Sequence, residues 1–333
     1  MISFDFMDAP DIALERLLHE KYNRKEGVYK FITGRVAVEN LAPNDVYRWL
    51  VDWMNQQLSD IGVNSTGGRR LPPIHFDLVQ VVTDIKNAHV LEADGLAFIV
   101  VTQPMVDEML RLSHALVERN RALMGLQIAP AAKSHEIAQL ILFMQFSLVT
   151  AHEYSHLVRG HWDDKQPPEA GESLSQAQEL DADGYGIYHD LSYFFHGRGR
   201  LITAQWLRVS NVKALENSIL DCYLLSLMLQ FCARWAGKTQ VVWDADAEHP
   251  PQPMRIEYSL LFVEMWCREV GKISTSWMTD GTLNRHFDTV ASLFRSAARE
   301  SWKLQMSWLR GAESEQYRSQ IRRSVDRLRT GKA

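Results

Sequence analysis

Cysteine is scarce in this chain: Cys222, Cys232 and Cys267 are the only three among 333 residues. They show no metal-ligand spacing, and an odd, sparse count suits a reducing cytoplasm better than a disulfide-built secreted protein. A basic surplus is lacking too. Thirty-six Lys and Arg stand against 41 Asp and Glu, a formal net charge of −5, so nothing points to nucleic acid as a partner. Long uninterrupted apolar runs are also missing. The run 137–151 is broken by Gln139 and Gln145, and the run 218–233 by Asp221 and Gln230. Both are short for a membrane span and read as buried helices. The first ten residues carry early acids and no basic region ahead of an apolar core, so no signal peptide is expected. No internal repeat or low-complexity tract appears.

What is present is ample core material. At 46% hydrophobic, the chain can bury one large domain or two small ones. Amphipathic patterns predict helices over 10–24, 44–61 and 103–122, and strands from Phe76, Ala88 and Leu96, the last two joined by a turn at Glu92-Ala93-Asp94-Gly95. Beyond Tyr188 the pattern is helical, over 189–208, 212–235, 254–272, 282–311 and 315–329, with an interruption at 194–200. The expected class is α+β, mainly α. Its expected parts are N-terminal helices with a small sheet (1–125), a catalytic core (126–272) and C-terminal helices (273–333), or one continuous domain. The basic tail around Arg318, Arg322 and Arg323 reads as a solvated face.

The chemistry concentrates at His152-Glu153-Tyr154-Ser155-His156, an HExxH motif. It falls in a predicted helix over 135–159, with Ser134 as N-cap and Gly160 as C-terminal stop. Residues four apart share a helix face, so His152 and His156 can hold one metal ion. Glu153 then lies beside the metal, placed to take a proton from water. The helix has almost no polar face, and buried histidines and glutamate need partners. Downstream, Glu179 and Asp183 share a face of a second helix. Glu179 can complete a His-His-Glu zinc site, and Asp183 can bond the far nitrogen of a ligand histidine. Glu169 and Glu172 are alternative third ligands on a poorer, loop-like platform. His161 reads as a helix-end residue, with a role behind a ligand histidine as the alternative. The metzincin spacing fails, because Arg159 and Trp162 occupy the positions that need Gly and His.

HExxH followed by E-x-x-x-D, and then by His249-Pro250 with Arg255 five residues further on, resembles the gluzincin metallopeptidases. The pattern is similar to the CAAX-prenyl and heat-shock membrane proteases, and closer, through its short spacing and lack of spans, to the Lit-type peptidases of phage exclusion. The resemblance covers His152 to Arg255. It implies a zincin-like catalytic core with a small sheet next to the HExxH helix. It further implies a zinc-dependent, cytoplasmic endopeptidase acting on a specific protein target, with Glu153 as general base and His249 or Arg255 at the oxyanion. Tyr185 and Tyr188 are other candidates for that last role, and Arg255 could instead pair with Glu179, Asp181 or Asp183. A different reading of the same residues is a non-catalytic, metal-stabilised binding or regulatory protein of phage or stress response.

Overall fold

The computed structural model describes residues 10–24, 31–65, 71–120, 133–161, 174–235, 249–275, 280–294, 300, 307 and 311–330. The chain divides into two compact units, Met1–Arg111 and Leu112–Ala333.

The first unit is built on a four-stranded mixed sheet. It contains α1 (Pro10–Arg24), β1 (Ile32–Arg35), a 3₁₀ turn at Val38–Asn40, α2 (Val46–Ser65), β2 (Ile74–Val81), β3 (Ala88–Ala93) and β4 (Leu96–Thr102). The strand order is β1-β2-β4-β3. β1 and β3 are antiparallel to their neighbours, and β2 runs parallel to β4. All seven residues of β4 are buried, which is why its sequence is a continuous apolar run rather than an alternation. Leu14 and Leu18 of α1 close one face over Ile32, Val79, Phe98 and Val100. The expected turn between β3 and β4 is a tight one. Asp94 (φ 53°) and Gly95 (φ 76°) are both left-handed, the backbone that an Asp-Gly hairpin turn requires. Where β1 stops short of the start of β2, the Asn55 amide takes the place of a neighbouring strand. Its Nδ2 donates to the Phe76 carbonyl (2.9 Å) and its Oδ1 accepts from the Phe76 N–H (2.8 Å). β1 has no signature in the sequence, because Ile-Thr-Gly-Arg is too short to show alternation.

The second unit is helical. α3 (Gln103–Asn120) contains the division between the units. It is followed by α4 (Ser134–Arg159), α5 (Leu174–His196), α6 (Arg198–Leu207), α7 (Val212–Trp235), α8 (Gln252–Trp266), α9 (Asp280–Ala291) and α10 (Ala312–Thr330). α4 packs against α5, α6 and α7, and α5 also carries α8 and α10. α4 is buried on nearly all sides from Ile137 to Ala151, as its sequence required. Together the units make a mainly helical α+β protein.

Several boundaries differ from the sequence reading. Lys133, not Ser134, is the N-cap of α4, and its backbone N–H is held by the Glu136 carboxylate at 3.2 Å. α5 begins at Leu174, before the acidic residues, and is unbroken to His196. The interruption expected at 194–200 narrows to Gly197. α8 loosens into a π turn at Cys267–Gly271, and α9 ends at Ala291, while most of the remaining stretch expected to be helical up to 311 lies outside the described residues. Among the described residues, no helix is long and apolar enough to cross a membrane.

Candidate metal centre

Three helices of the second unit converge on the HExxH motif. α4 contributes His152, Glu153 and His156, α5 contributes Glu179 and Asp183, and α8 contributes Arg255. The approach of α5 to α4 depends on Gly186. A Cβ at that position would lie 3.0 Å from the Ala151 carbonyl carbon and 3.0 Å from the His152 nitrogen, tighter than most side-chain contacts, so the backbone of α4 would have to give way. The missing side chain therefore lets the acids of α5 reach the histidines of α4.

His152 Nε2 and His156 Nε2 are 3.2 Å apart. Glu179 Oε1 is 3.3 Å from His156 Nε2, and Glu179 Oε2 is 3.6 Å from His152 Nε2. A tetrahedral ion with bonds of roughly 2.0–2.1 Å separates its ligand atoms by about 3.3 Å. The triangle of nitrogens and oxygens has that size, and these three side chains can hold a metal ion. The site also has a polar deficit. Glu179 Oε2 is buried, and no hydrogen-bond donor is aligned on it. A cation at the centre would satisfy that oxygen.

The surrounding groups orient the ligands. His152 Nδ1 stands 2.9 Å from Asp183 Oδ1, the far-nitrogen contact expected of Asp183. Arg255 holds Asp183 through Nε (2.8 Å) and Nη2 (2.5 Å), and its Nη1 lies 3.5 Å from Glu179 Oε2. Of the partners open to Arg255 in the sequence, it takes Asp183 and Glu179. Asp181 goes instead to Arg159, whose Nε donates at 2.7 Å. His249, in the bend ahead of α8, brings Nδ1 to 3.0 Å from Glu179 Oε2 while its side chain stays 56% exposed. Glu153 is part-buried, and its charge acts on both His156 and Arg255. Among the described residues it forms no hydrogen bond or ion pair, so its carboxylate is uncommitted.

Electrostatics reflect the same crowding. Burial alone would raise the Glu179 carboxyl. The nearby rings of His156 and His249, and the charges of His152 and Arg255, instead hold it well below the ordinary carboxylate range. Asp183 behaves alike: burial opposes its charge, but Arg255 and His152 overcome burial and keep it low. Burial favours neutral His156, yet the adjacent Glu179 pushes its pKa up. The gap between these side chains thus draws positive charge.

Tyr185 and Tyr188 are not brought to the ligand atoms. They line a cavity of about 450 Å³ with Arg159, His189, Phe262 and Met265. Glu169 and Glu172 lie outside the described residues. His161 lies at the helix end, as read from sequence, and packs against His156, with Nδ1 3.0 Å from Nδ1. The signal that could have found it is Gly160, whose left-handed turn folds the next residue back over the helix end.

The chain matches no family model, no curated protein and no solved structure. Its functional reading rests on the motifs and on this geometry.

Proposed function

We propose that the chain is a zinc-dependent endopeptidase of the gluzincin type, working in the cytoplasm on a specific protein target. The observation that carries this reading is the convergence of His152, His156 and Glu179 within 4.8 Å, with the uncommitted Glu153 directly beside them. The nitrogen and carboxylate donors and the near-tetrahedral spacing suit zinc better than calcium or magnesium, which take oxygen ligands at higher coordination. The three free, buried cysteines suit a reducing compartment.

A zinc ion held there would supply Lewis acidity, activating water and polarising a peptide carbonyl. The chain's own residues do the rest. Glu153 takes the proton from the attacking water and returns it to the leaving amine. Asp183 keeps His152 oriented through Nδ1, and Arg255 keeps Asp183 ionised. Negative charge develops on the carbonyl oxygen and needs a donor beyond the metal. His249 suits that role better than Arg255, because it is exposed at the rim while Arg255 is buried and committed to Asp183.

The test joins metal analysis to one substitution. Elemental mass spectrometry of the purified protein should find about one zinc per chain. Glu153→Gln should keep that zinc and lower hydrolysis of a cleaved target by about 10²–10⁴-fold. Retained cleavage in Glu153→Gln would remove the base assignment. An unchanged cellular phenotype in Glu153→Gln, with loss of it in His152→Ala, would favour a non-catalytic, metal-stabilised role.

A further inference from the structure

We propose that His161 is a positioning residue for the metal centre. It accepts the Nδ1 proton of His156, and so keeps the Nε2 lone pair of that ligand turned toward the metal. Asp181 and Arg159 fix the His161 ring from behind. The inference rests on the metal-binding part of the reading above and extends it to three residues outside the motif.

The same proton falls on the same bond from either end of the chain of contacts. From the metal side, His156 Nε2 is the atom that faces Glu179 Oε1 (3.3 Å) and His152 Nε2 (3.2 Å). A neutral imidazole that offers Nε2 carries its proton on Nδ1. That nitrogen meets His161 Nδ1 at 3.0 Å. From the other side, His161 Nε2 stands 3.2 Å from Asp181 Oδ2, and Arg159 Nε donates to the same oxygen at 2.7 Å. An arginine-paired carboxylate only accepts. The His161 proton therefore sits on Nε2 and leaves Nδ1 as the acceptor that His156 needs. The His161 side chain is only 5% exposed, so water does not compete for these bonds.

The route through a second imidazole has a geometric cause. Glu179, Asp181 and Asp183 alternate along α5, and at about 100° per residue Asp181 is turned away from the face that Glu179 and Asp183 share. Asp183 reaches His152 directly, whereas Asp181 reaches His156 only through an intervening group. The turn at Gly160 (φ 71°) supplies it. The His161 N–H bonds back to the His156 carbonyl at 3.1 Å, which lays its ring over the ligand five residues before it.

The test measures zinc affinity of the full chain at fixed pH, by competition with a chromophoric chelator, with circular dichroism as the check on folding. His161→Phe should weaken zinc binding by about 10–100-fold, the usual cost of losing an orienting partner behind a ligand. His161→Asn should recover most of the loss, because its amide oxygen falls near the position of Nδ1. Ring-¹⁵N spectra of the zinc-loaded wild type should show the His156 proton on Nδ1 and the His161 proton on Nε2. Unchanged affinity in folded His161→Phe, an Asn variant as weak as the Phe variant, or a His161 proton on Nδ1 would overturn the proposal. Failure of the wild type to bind zinc would be a different result, removing the metal centre itself. If His161→Phe does not fold, the Asn variant and the spectra still decide.

Discussion

Each unit of this protein buries an arginine against an aspartate, and the two pairs behave differently. Arg35 and Asp77 in the first unit are 8% and 10% exposed, and Arg255 and Asp183 in the second are 5% and 8% exposed. Burial is nearly equal, yet the Asp77 carboxyl is pushed up while Asp183 is held well below the ordinary range. The difference lies in how many donors each carboxylate commands. Burial dominates at Asp77 because Arg35 is shared: its two Nη atoms grip Glu39 at 3.0 and 2.8 Å, leaving Asp77 only Nε and the Leu78 N–H. Asp183 receives two nitrogens of Arg255 and the ring of His152 besides. A buried ion pair is thus not one kind of object. The first pair sits in a triad with Glu39 in which the Arg35 nitrogens are all engaged, whereas the second belongs to a cluster with an acceptor atom left over, Glu179 Oε2, which belongs to the candidate metal centre.

The sharpest way to break this comparison is to remove each arginine. Arg255→Met leaves Asp183 and Glu179 buried without their main cation, and should cost about 3–5 kcal/mol in urea unfolding. Arg35→Met should cost only about 1–2 kcal/mol, because Asp77 already takes up a proton readily and Glu39 reaches water. Equal losses would mean that donor count does not separate the two sites. Metal removal should discriminate next. If zinc binds the second unit alone, saturation at 100 times its dissociation constant adds about 2.7 kcal/mol to that unit. Chelation should then speed amide hydrogen exchange in α4 and α5 and leave β2 and β4 unchanged. Loss of protection in both units alike would remove the assignment of the site to the second unit.

Two glycines allow a smaller, steric version of the same contrast. Gly186→Ala drives a methyl group against the backbone of Ala151 and His152. It should destabilise by about 1–3 kcal/mol and weaken zinc binding by spreading α4 from α5. Gly34 in β1 has nothing within 4 Å of its would-be Cβ, so Gly34→Ala should stay within about 0.5 kcal/mol of wild type. Thermal unfolding of the two variants side by side checks both.

These contrasts also mark what could be read without coordinates. α4 was legible almost to the residue, because its apolar content leaves few alternatives to a buried helix and Gly160 ends it. The sharing of a face by Glu179 and Asp183, and the contact of Asp183 with a ligand ring, follow from helical periodicity alone. His161 was not legible in the same way. Five residues past His156 it lies off the ligand face of any continuing helix, and only the left-handed residue between them brings it back. Gly186 was equally silent, since close approach of two helices depends on the partner surface. The start of α5 at Leu174 was missed because Ser175 and Gln176 are polar, and only the burial of Leu174, Gln176 and Ala177 shows that this turn packs. The same limit hid the π turn after Trp266, a packing adjustment with no local signature.

The smallest expected effect is one of sign. A carboxyl whose folded pKa is depressed contributes stability that is complete above its unfolded value, about 3.9, and is lost as the pH falls through the folded value. Asp183 is such a group, so it makes stability rise with pH in the acid range. A carboxyl whose folded pKa is raised acts in reverse: it penalises the folded state above that pKa, and the penalty fades as the pH falls through it. Asp77 is that case, and it makes stability fall with rising pH. Unfolding of the metal-free protein across pH 2–6 should therefore change slope in opposite directions for Asp183→Asn, below about pH 4, and Asp77→Asn, above it, by up to about 1.4 kcal/mol per pH unit in each case. The slope is the quantity to compare, because each substitution also changes hydrogen bonds that do not depend on pH. Slopes that shift the same way in both variants would mean that burial, and not the number of donors, sets the charge state at both sites.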